Sequence, residues 1–242
     1  MLSSVGVLRK NSRILVISDT HFPYQHPDTV AFLREIQSHY KPDRVVHIGD
    51  EVDGHGISFH PSDPDLLSPG DELHLAIERL QPLYKLFPKV DLVESNHGSL
   101  VYRKGKVHGL PRNVFKSYKE VLRAPKGWNW HFDLTLKMSD GNHVYFCHGK
   151  NASPGKLSES MGMSVVQGHY HEKFGIHYWA NPLGLFWEMR VGCLINDDSM
   201  AFAYNNTNLK RPIIGTGIII DGHPRLIPMV LDKRGRWIGK LK

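Results

Sequence analysis

Residues 13–21 read RILVISDTH, a short aliphatic run followed by an aspartate and a histidine. The same arrangement returns at 44–53 in RVVHIGDEVD, and VDLVESNH at 90–97 ends in an asparagine and a histidine. Short runs rich in Val, Ile and Leu, bounded by polar residues or glycine, are typical of strands buried inside a sheet. We therefore predict three buried strands, over 13–18, 44–48 and 90–94.

Helical patterns separate these three strands. Apolar residues recur every three or four positions over 28–40, which ends before Pro42, and again over 71–87. Pro82 is predicted to kink or split the second helix, because proline lacks the amide proton that a helix interior needs. The alternation of strand and helix predicts a βαβαβ opening with parallel strands and right-handed crossovers.

The second half of the chain contains further strand candidates and no convincing long helix. These candidates span 134–138, 143–147, 164–167, 175–179, 213–220 and 225–231. The expected fold class is α/β. Because neither an internal repeat nor a low-complexity linker interrupts the sequence, we expect a single domain over 1–242.

The composition is that of an ordinary soluble globular chain. Of 242 residues, 40% are hydrophobic and 22% are charged, which excludes a disordered tail, a collagen-like repeat and a coiled coil. No apolar run approaches the roughly 18 residues that a membrane helix needs, and the N-terminus resembles no secretory signal. We expect a cytoplasmic protein without membrane contact. Cys147 and Cys193 lie among apolar residues, which argues against a disulfide framework.

Residues able to bind a metal follow each of five predicted strands. They are Asp19 and His21, Asp50 and Asp53, Asn96 and His97, His148, and His169 and His171. Ligands collect beyond the carboxyl ends of strands in open α/β sheets, so we expect the five groups to converge on one crevice. Each group alone has a bland explanation, because single histidines are more often core or surface residues. Five such groups together favour a metal site.

The donor types indicate which metals would bind. Aspartate, imidazole and an amide oxygen, without thiolate, suit Mn2+, Fe2+ or Zn2+. One carboxylate can bridge two ions about 3.5–4 Å apart, a spacing used for displacement at phosphorus, and Asp50 is the natural bridge. We expect two divalent ions, with Mn2+ favoured and Fe2+ or Zn2+ as alternatives. Cys147, His47 and His143 lie inside predicted strands and are interpreted as packed or hydrogen-bonded residues.

Taken together, the five groups resemble the sequence blocks of the calcineurin-like metallophosphoesterases. The blocks are Asp19-x-His21, Gly49-Asp50-x-x-Asp53, Asn96-His97, His148-Gly149 and Gly168-His169-x-His171. The resemblance implies two facing mixed β-sheets flanked by helices. It also implies one metal held by Asp19, His21, Asp50 and His171, and another held by Asp50, Asn96, His148 and His169. Residues 71–73 and 164–169 are also similar to members found in phages and prophages.

The expected reaction is hydrolysis of a phosphoester. A hydroxide held between the two ions would attack phosphorus in line, and the family gives the counterpart of His97 the role of general acid. Asp53 is predicted to orient His97 and stabilise its protonated form, with a structural turn cap as the alternative. Two features depart from the family pattern: Gly98 replaces the usual acidic residue, and no arginine follows Asp53 as it does in protein phosphatases.

Charges are segregated along the chain. An acidic segment, 50–72, contains seven acidic and no basic residues, whereas a basic segment, 99–126, contains eight basic residues and one acidic residue. The basic segment starts just after His97 and interleaves aromatic residues, a mixture that suits nucleic acid. The alternative is a surface whose bases compensate the acidic segment. Candidate substrate contacts are His55, His60, Arg103 and Lys150, with ordinary surface positions as the alternative.

The predicted function is a phosphodiesterase that hydrolyses nucleic acid or nucleotides with two metal ions. A phosphomonoesterase, including a protein phosphatase, is the alternative with the same site. A nucleic-acid-binding protein with an inactive site is a third interpretation, against which the intact ligand set argues. The expected partner is a phosphoester substrate, with nucleic acid as the leading class, and no protein partner is deducible.

Overall fold

The computed structural model describes residues 4–7, 12–59, 65–199 and 209–241. In chain order its strands are β1 (Ser4–Val7), β2 (Arg13–Ile17), β3 (Arg44–His47), β4 (Lys89–Val93), β5 (Gly127–His131), β6 (Leu134–Lys137), β7 (His143–Cys147), β8 (Ser164–Gln167), β9 (Phe174–Asn181), β10 (Gly184–Val191), β11 (Gly215–Ile220) and β12 (His223–Pro228). Its α-helices are α1 (Thr29–Tyr40), α2 (Pro69–Leu86), α3 (Leu100–Val107), α4 (Tyr118–Val121) and α5 (Lys156–Met161).

The strands form two six-stranded sheets, both mixed. The first sheet has the order β12-β11-β2-β3-β4-β5, in which β2 to β5 pair in parallel and β11 pairs antiparallel with both of its neighbours. The second sheet has the order β1-β6-β7-β8-β10-β9 and also combines both pairing directions. The α/β class and the pair of mixed sheets are therefore confirmed.

The two sheets face each other across a shared apolar layer. One buried cluster combines side chains of the first sheet with those of the second, among them Ile14, Val46, Phe146, Val166 and Met189. The other face of the first sheet is covered by α1 and α2, and α5 packs on the other face of the second sheet. This layering leaves the carboxyl ends of strands from both sheets to share one edge of the molecule.

The parallel opening predicted from the sequence is present as β2-α1-β3-α2-β4, with β1 preceding it in the other sheet. Of the two effects expected of Pro82, a kink or a split, the split is wrong, because α2 is continuous over its 18 residues. Ser68 caps the helix by accepting a hydrogen bond from the N–H of Asp71, and Leu80, Leu83 and other apolar residues bury one face. This packing offsets the roughly 3 kcal/mol that an internal proline costs.

Strand β10 was missed in the sequence because two charged residues interrupt its apolar run. Glu188 and Arg190 are nonetheless 1% and 4% exposed, and their side chains pair at 2.7 Å. The Arg190 guanidinium also donates to the main-chain carbonyls of 151–153, so every charge has a partner. Charged residues in a buried strand are stable only when paired in this way, which local sequence does not reveal.

Two histidines inside strands behave differently. His47 is buried, and its Nε2 lies 3.1 Å from the hydroxyl of Thr20, as expected of a hydrogen-bonded core residue. His143 is exposed at the start of β7, so the prediction that it is packed is wrong.

Within the described ranges, none of the helices has the length and apolar character required to cross a bilayer.

Candidate metal centre

The predicted ligands lie at the carboxyl ends of strands from both sheets. Their donor atoms come together in three groups, within each of which the atoms lie no more than 4.8 Å apart. The first group is Asp19, His21 and His171, the second group is Asp50, His148 and His169, and the His97 group is His21, Asp50 and His97. The convergence expected from the sequence is therefore present.

Asp50 joins the groups. Its side chain is buried, and Oδ2 lies 3.1 Å from Nε2 of His148 and 3.6 Å from Nε2 of His21. One carboxylate oxygen of Asp50 therefore faces a histidine of the first group and a histidine of the second group. Its main-chain N–H donates to Oγ of Ser95 at 2.9 Å, which ties the turn after β3 to the turn after β4.

Asp19 connects β2 to the turn after β8. Its Oδ1 atom lies 3.1 Å from Nε2 of His171 and 3.8 Å from Nε2 of His21. Its Oδ2 atom accepts the main-chain N–H of His169 at 2.9 Å and the hydroxyl of Ser18. The carboxylate therefore holds together loops that are 150 residues apart in the sequence.

Hydrogen bonds fix which imidazole nitrogen faces the centre. Nδ1 of His21 bonds to Oδ1 of Asp53 at 2.6 Å, and Nδ1 of His148 bonds to the carbonyl of Ile48 at 2.9 Å. Both rings consequently present Nε2 to Asp50. Metal-binding histidines in proteins are commonly oriented by such a carboxylate or carbonyl partner, which also sets the tautomer.

The carboxylate of Asp53 orients His21 rather than His97, which corrects the predicted role of Asp53. His97 donates from Nδ1 to the main-chain carbonyl of Asp53, and its Nε2 lies 3.8 Å from Oδ2 of Asp50. The main-chain N–H of Asp53 donates to the carbonyl of Phe22, which places the Asp53 side chain beside the turn that carries His21. The spacing between positions 50 and 53 gives no information about the contact between Asp53 and His21, because that contact joins distant parts of the chain.

Several site residues occupy the left-handed backbone region. Asp19, His21, Asp50 and His169 have φ between 47° and 68°, a conformation uncommon for residues other than glycine. Such conformations cost about 1–3 kcal/mol each and tend to cluster at functional sites. Gly49 has φ 101°, and a Cβ there would lie 2.5 Å from Cβ of Ser95 and 2.8 Å from Nδ1 of His148. Only glycine fits this turn, which brings Asp50 against the other loops.

The buried carboxylates and imidazoles shift one another's ionisation. Burial alone would raise the pKa of Asp19 and Asp50. The charge of nearby His148 and hydrogen bonds from two other histidines hold the pKa of Asp19 below the usual range, and the charges of His148 and His97 and a hydrogen bond from His148 do the same for the pKa of Asp50. Burial alone would lower the pKa of His21 and His148, but the neighbouring carboxylates raise these pKa values to about 10 and about 9. In the metal-free protein, protons on the imidazoles therefore balance the carboxylates.

A divalent ion must displace these protons, which predicts a pH dependence. His21 and His148, with pKa values of about 10 and about 9, are protonated at neutral pH, whereas metal-bound imidazole is neutral. Loading with Mn2+ at neutral pH should therefore release about two protons per chain, and the apparent affinity should rise with pH until the pH passes the two pKa values of about 9 and about 10. Calorimetric titration in two buffers of different ionisation enthalpy measures the proton release.

The stability of the metal-free protein should show the opposite trend. A raised histidine pKa contributes stability that is fully present below the unfolded value of about 6.5 and is lost as pH rises through the folded value. The melting temperature of the metal-free form should fall above about pH 6.5, and saturating Mn2+ should remove that fall. In the calorimetric titration, binding of Mn2+ without release of protons would contradict the expected protonation of His21 and His148.

The residues fit divalent metal ions. Asn96 has a buried Oδ1 atom with no hydrogen-bond partner in the described part of the chain, as expected of an atom that serves a ligand. The remaining donors are carboxylate oxygens and imidazole nitrogens, which suit borderline to hard dications. Cys147 is 1% exposed and clusters with Tyr145 and Val165, in agreement with its interpretation as a core residue.

A cavity of about 510 Å3 borders Asn96, His148 and His169. Arg103 and Lys150, both predicted as substrate contacts, line it. Its wall also contains Tyr102 and Arg112, which belong to the aromatic and basic residues of 99–126, and Phe132, which was not predicted. No local pattern in the sequence marks Phe132 as part of a site.

The other two predicted substrate contacts lie elsewhere. His55 is half-buried beside Asp53, with 3.8 Å between its Nδ1 and Oδ2 of Asp53, and it does not line the cavity. Both carboxylate oxygens of buried Glu72 accept main-chain N–H groups of 55 and 56, which anchors this loop. His60 lies outside the described residues.

The acidic segment is not simply a solvated face. Its residues Asp50, Glu51, Asp53 and Glu72 are all 3% exposed or less. These carboxyl groups therefore lie inside the protein, around the centre and its supporting loops. Of the basic segment, Arg103 and Arg112 reach the cavity wall, and Arg112 pairs with Glu94 at 2.7 Å rather than with the acidic segment.

Comparisons with known proteins give one sequence match and several structural likenesses. A solved structure of vacuolar protein sorting 29 from Cryptosporidium parvum has a TM-score of 0.49 at 15% identity, covering 97% of this chain and 96% of that one. Yfce, a phosphoesterase from E. coli, has a TM-score of 0.46 at 11% identity, covering 93% and 96%. No curated protein matches at a significant level. The sequence model described as "Calcineurin-like phosphoesterase" matches residues 12–190, a span that contains all three groups of donors.

Proposed function

This chain belongs to the calcineurin-like phosphoesterase family, and we propose that it is a metal-dependent phosphodiesterase that hydrolyses nucleic-acid or nucleotide diesters. The observation that carries the proposal is the position of Asp50 between the first and the second group, with Nε2 of His97 3.8 Å from its Oδ2. A shared carboxylate between two sets of ligands, with an imidazole beside it, suits transfer at phosphorus.

Each ligand has a proposed place. Asp19, His21, Asp50 and His171 would hold one divalent ion, and Asp50, Asn96, His148 and His169 would hold the other. We propose Mn2+ as the metal, with Fe2+ or Zn2+ as alternatives. When bound, two such ions supply an activated water and neutralise charge on the phosphoryl oxygens.

The protein supplies orientation and proton transfer. The carbonyl of Asp53 accepts from Nδ1 of His97, so the nitrogen that faces Asp50 is Nε2. A proton donated from Nε2 would stabilise the departing alkoxide. The carboxylate of Asp53 acts on His21 and not on His97, because it holds the His21 ring in its proposed ligand orientation.

A phosphomonoesterase is the second candidate with the same ligands. Arg103 and Lys150 beside the second group favour it, since two cations suit the doubly charged phosphate of a monoester. The diester is preferred because the cavity is far larger than a phosphate group requires.

Two p-nitrophenyl substrates test the proposal. Metal-stripped protein reloaded with Mn2+ should hydrolyse bis-p-nitrophenyl phosphate with a larger kcat/KM than p-nitrophenyl phosphate, and stripped protein should hydrolyse neither. A preference for p-nitrophenyl phosphate would favour the monoesterase. Loaded protein that hydrolyses neither, yet binds oligonucleotides, would support a binding protein with an inactive site.

A further inference from the structure

We propose that the cavity beside the second group is a subsite for a single nucleotide, the one that stays on phosphorus after cleavage. This inference rests on the proposed phosphodiesterase function and specifies where its substrate lies. Hydrolysis of a diester breaks one ester P–O bond, adds the hydroxyl of water to phosphorus and transfers a proton to the leaving oxygen. One substituent therefore leaves, and the other stays attached to the product phosphate.

The cavity and His97 border different parts of the centre. The cavity wall contains Asn96, His148 and His169, together with Ser95 and Ser99, but not His97. Nε2 of His97 belongs instead with His21 and Asp50. If His97 protonates the leaving oxygen, the leaving substituent departs on the His21 side, and the cavity is left for the retained substituent.

The size of the cavity fits more than a phosphate. A volume of about 510 Å3 lies within the range of roughly 300–1,000 Å3 that is typical of small-molecule sites. A water molecule occupies about 30 Å3 in the liquid, and a phosphate group is only a few times as large. A phosphate on the ligands would therefore leave most of the cavity open. A nucleoside attached to that phosphate would occupy the space.

The cations of the wall suit the phosphate of such a nucleotide. Arg103 is anchored by a hydrogen bond of 3.3 Å to the carbonyl of Asn96 and lies 4.9 Å from the ring centroid of Phe59. In the described part of the chain it forms no ion pair, whereas Arg112 is paired with Glu94 and Lys150 with Asp133. Arg103 is therefore the wall cation available to an anionic ligand.

The aromatic wall suits the base. Phe132 is 77% exposed, although such exposure of a large apolar ring is unfavourable in water. Lys150 Nζ lies over this ring at 5.8 Å from its centroid, farther than the cation on Tyr102, and most of the ring stays exposed. Tyr102 already carries the guanidinium of Arg112 at 4.9 Å from its ring centroid. Phe132 therefore offers the surface on which a base would stack, a contact that serves bases of any sequence.

Binding measurements test the subsite without catalysis. Adenosine 5′-monophosphate should bind the Mn2+-loaded protein about tenfold more tightly than ribose 5-phosphate, which has no base. Phe132→Ala should abolish that preference, and Arg103→Ala should weaken both ligands about tenfold. Leu183→Ala, another exposed apolar residue, and Lys106→Ala on the same helix as Arg103 are the matched controls and should change neither. Equal affinity for the two ligands, or a preference that survives Phe132→Ala, would overturn the subsite.

A pair of diesters with the same leaving group separates this inference from the proposed function. Thymidine 5′-(p-nitrophenyl phosphate) and methyl p-nitrophenyl phosphate differ only in the retained substituent. The thymidine ester should have a kcat/KM about tenfold larger, and Phe132→Ala should bring the two together. If both esters react equally well, the subsite is wrong and the phosphodiesterase stands. If the loaded protein cleaves neither, the proposed function is wrong, and the binding experiment still decides whether the cavity accepts a nucleotide.

Discussion

Replacing Asp50 with asparagine should abolish turnover and prevent loading of the metal pair. The two side chains have nearly the same shape, but the amide is neutral and leaves one nitrogen where Asp50 Oδ2 faces Nε2 of His148 at 3.1 Å and Nε2 of His21 at 3.6 Å. Because the ligand sets proposed for both ions include Asp50, neither site remains complete. We expect kcat with bis-p-nitrophenyl phosphate to fall by at least about 10³-fold.

Metal content and activity should fall together in this variant. Elemental analysis after dialysis against Mn2+ gives the ions per chain, and circular dichroism checks that the fold is retained. Asp91→Asn is the matched control, because Asp91 lies on β4 and pairs with Arg44 and His131 away from the centre. It should retain both ions and full activity. An Asp50→Asn protein that still holds two ions and turns over normally would show that the bridging assignment is wrong.

His97→Ala should separate metal binding from proton transfer. The variant should retain both ions, because the ligand sets proposed for them do not include His97. Turnover of substrates with basic leaving groups, such as dinucleotides, should fall about 10²- to 10⁴-fold, the usual contribution of a positioned general acid. A p-nitrophenolate leaving group needs little protonation, so kcat for bis-p-nitrophenyl phosphate should fall much less.

The alternative for His97 is a role as a metal ligand. The structure places Nε2 of His97 with His21 and Asp50 in one group of donors, so the alternative has a geometric basis. In that case His97→Ala would lose metal and would slow both substrates equally. His74→Ala, at an exposed position on α2, is the matched control and should change neither metal content nor rate.

Much of the fold follows from local patterns in the sequence. Strands β2, β3, β7 and β8 and the helices α1 and α2 were predicted within a few residues, because aliphatic runs and helical periodicity record which side chains are buried. Strand β10 was not predicted, because Glu188 and Arg190 resemble surface residues until each is seen paired with the other. The split expected at Pro82 is wrong for a related reason. The free energy that an internal proline costs predicts a break, but α2 stays continuous because it packs on the first sheet.

The sequence by itself determined which candidate donors come together, since each follows a buried strand and strand ends of an α/β sheet converge. Only the tertiary structure decided which atoms meet. It directed the Asp53 carboxylate to His21 instead of His97, and it formed a cavity from residues between 94 and 169. Phe132 likewise joins the wall of that cavity only in the folded structure. Sequence periodicity indicates which side chains of a strand or helix are buried. The contact between Asp53 and His21 depends instead on how the turns after β2 and β3 meet, and the cavity depends on how the two sheets pack together.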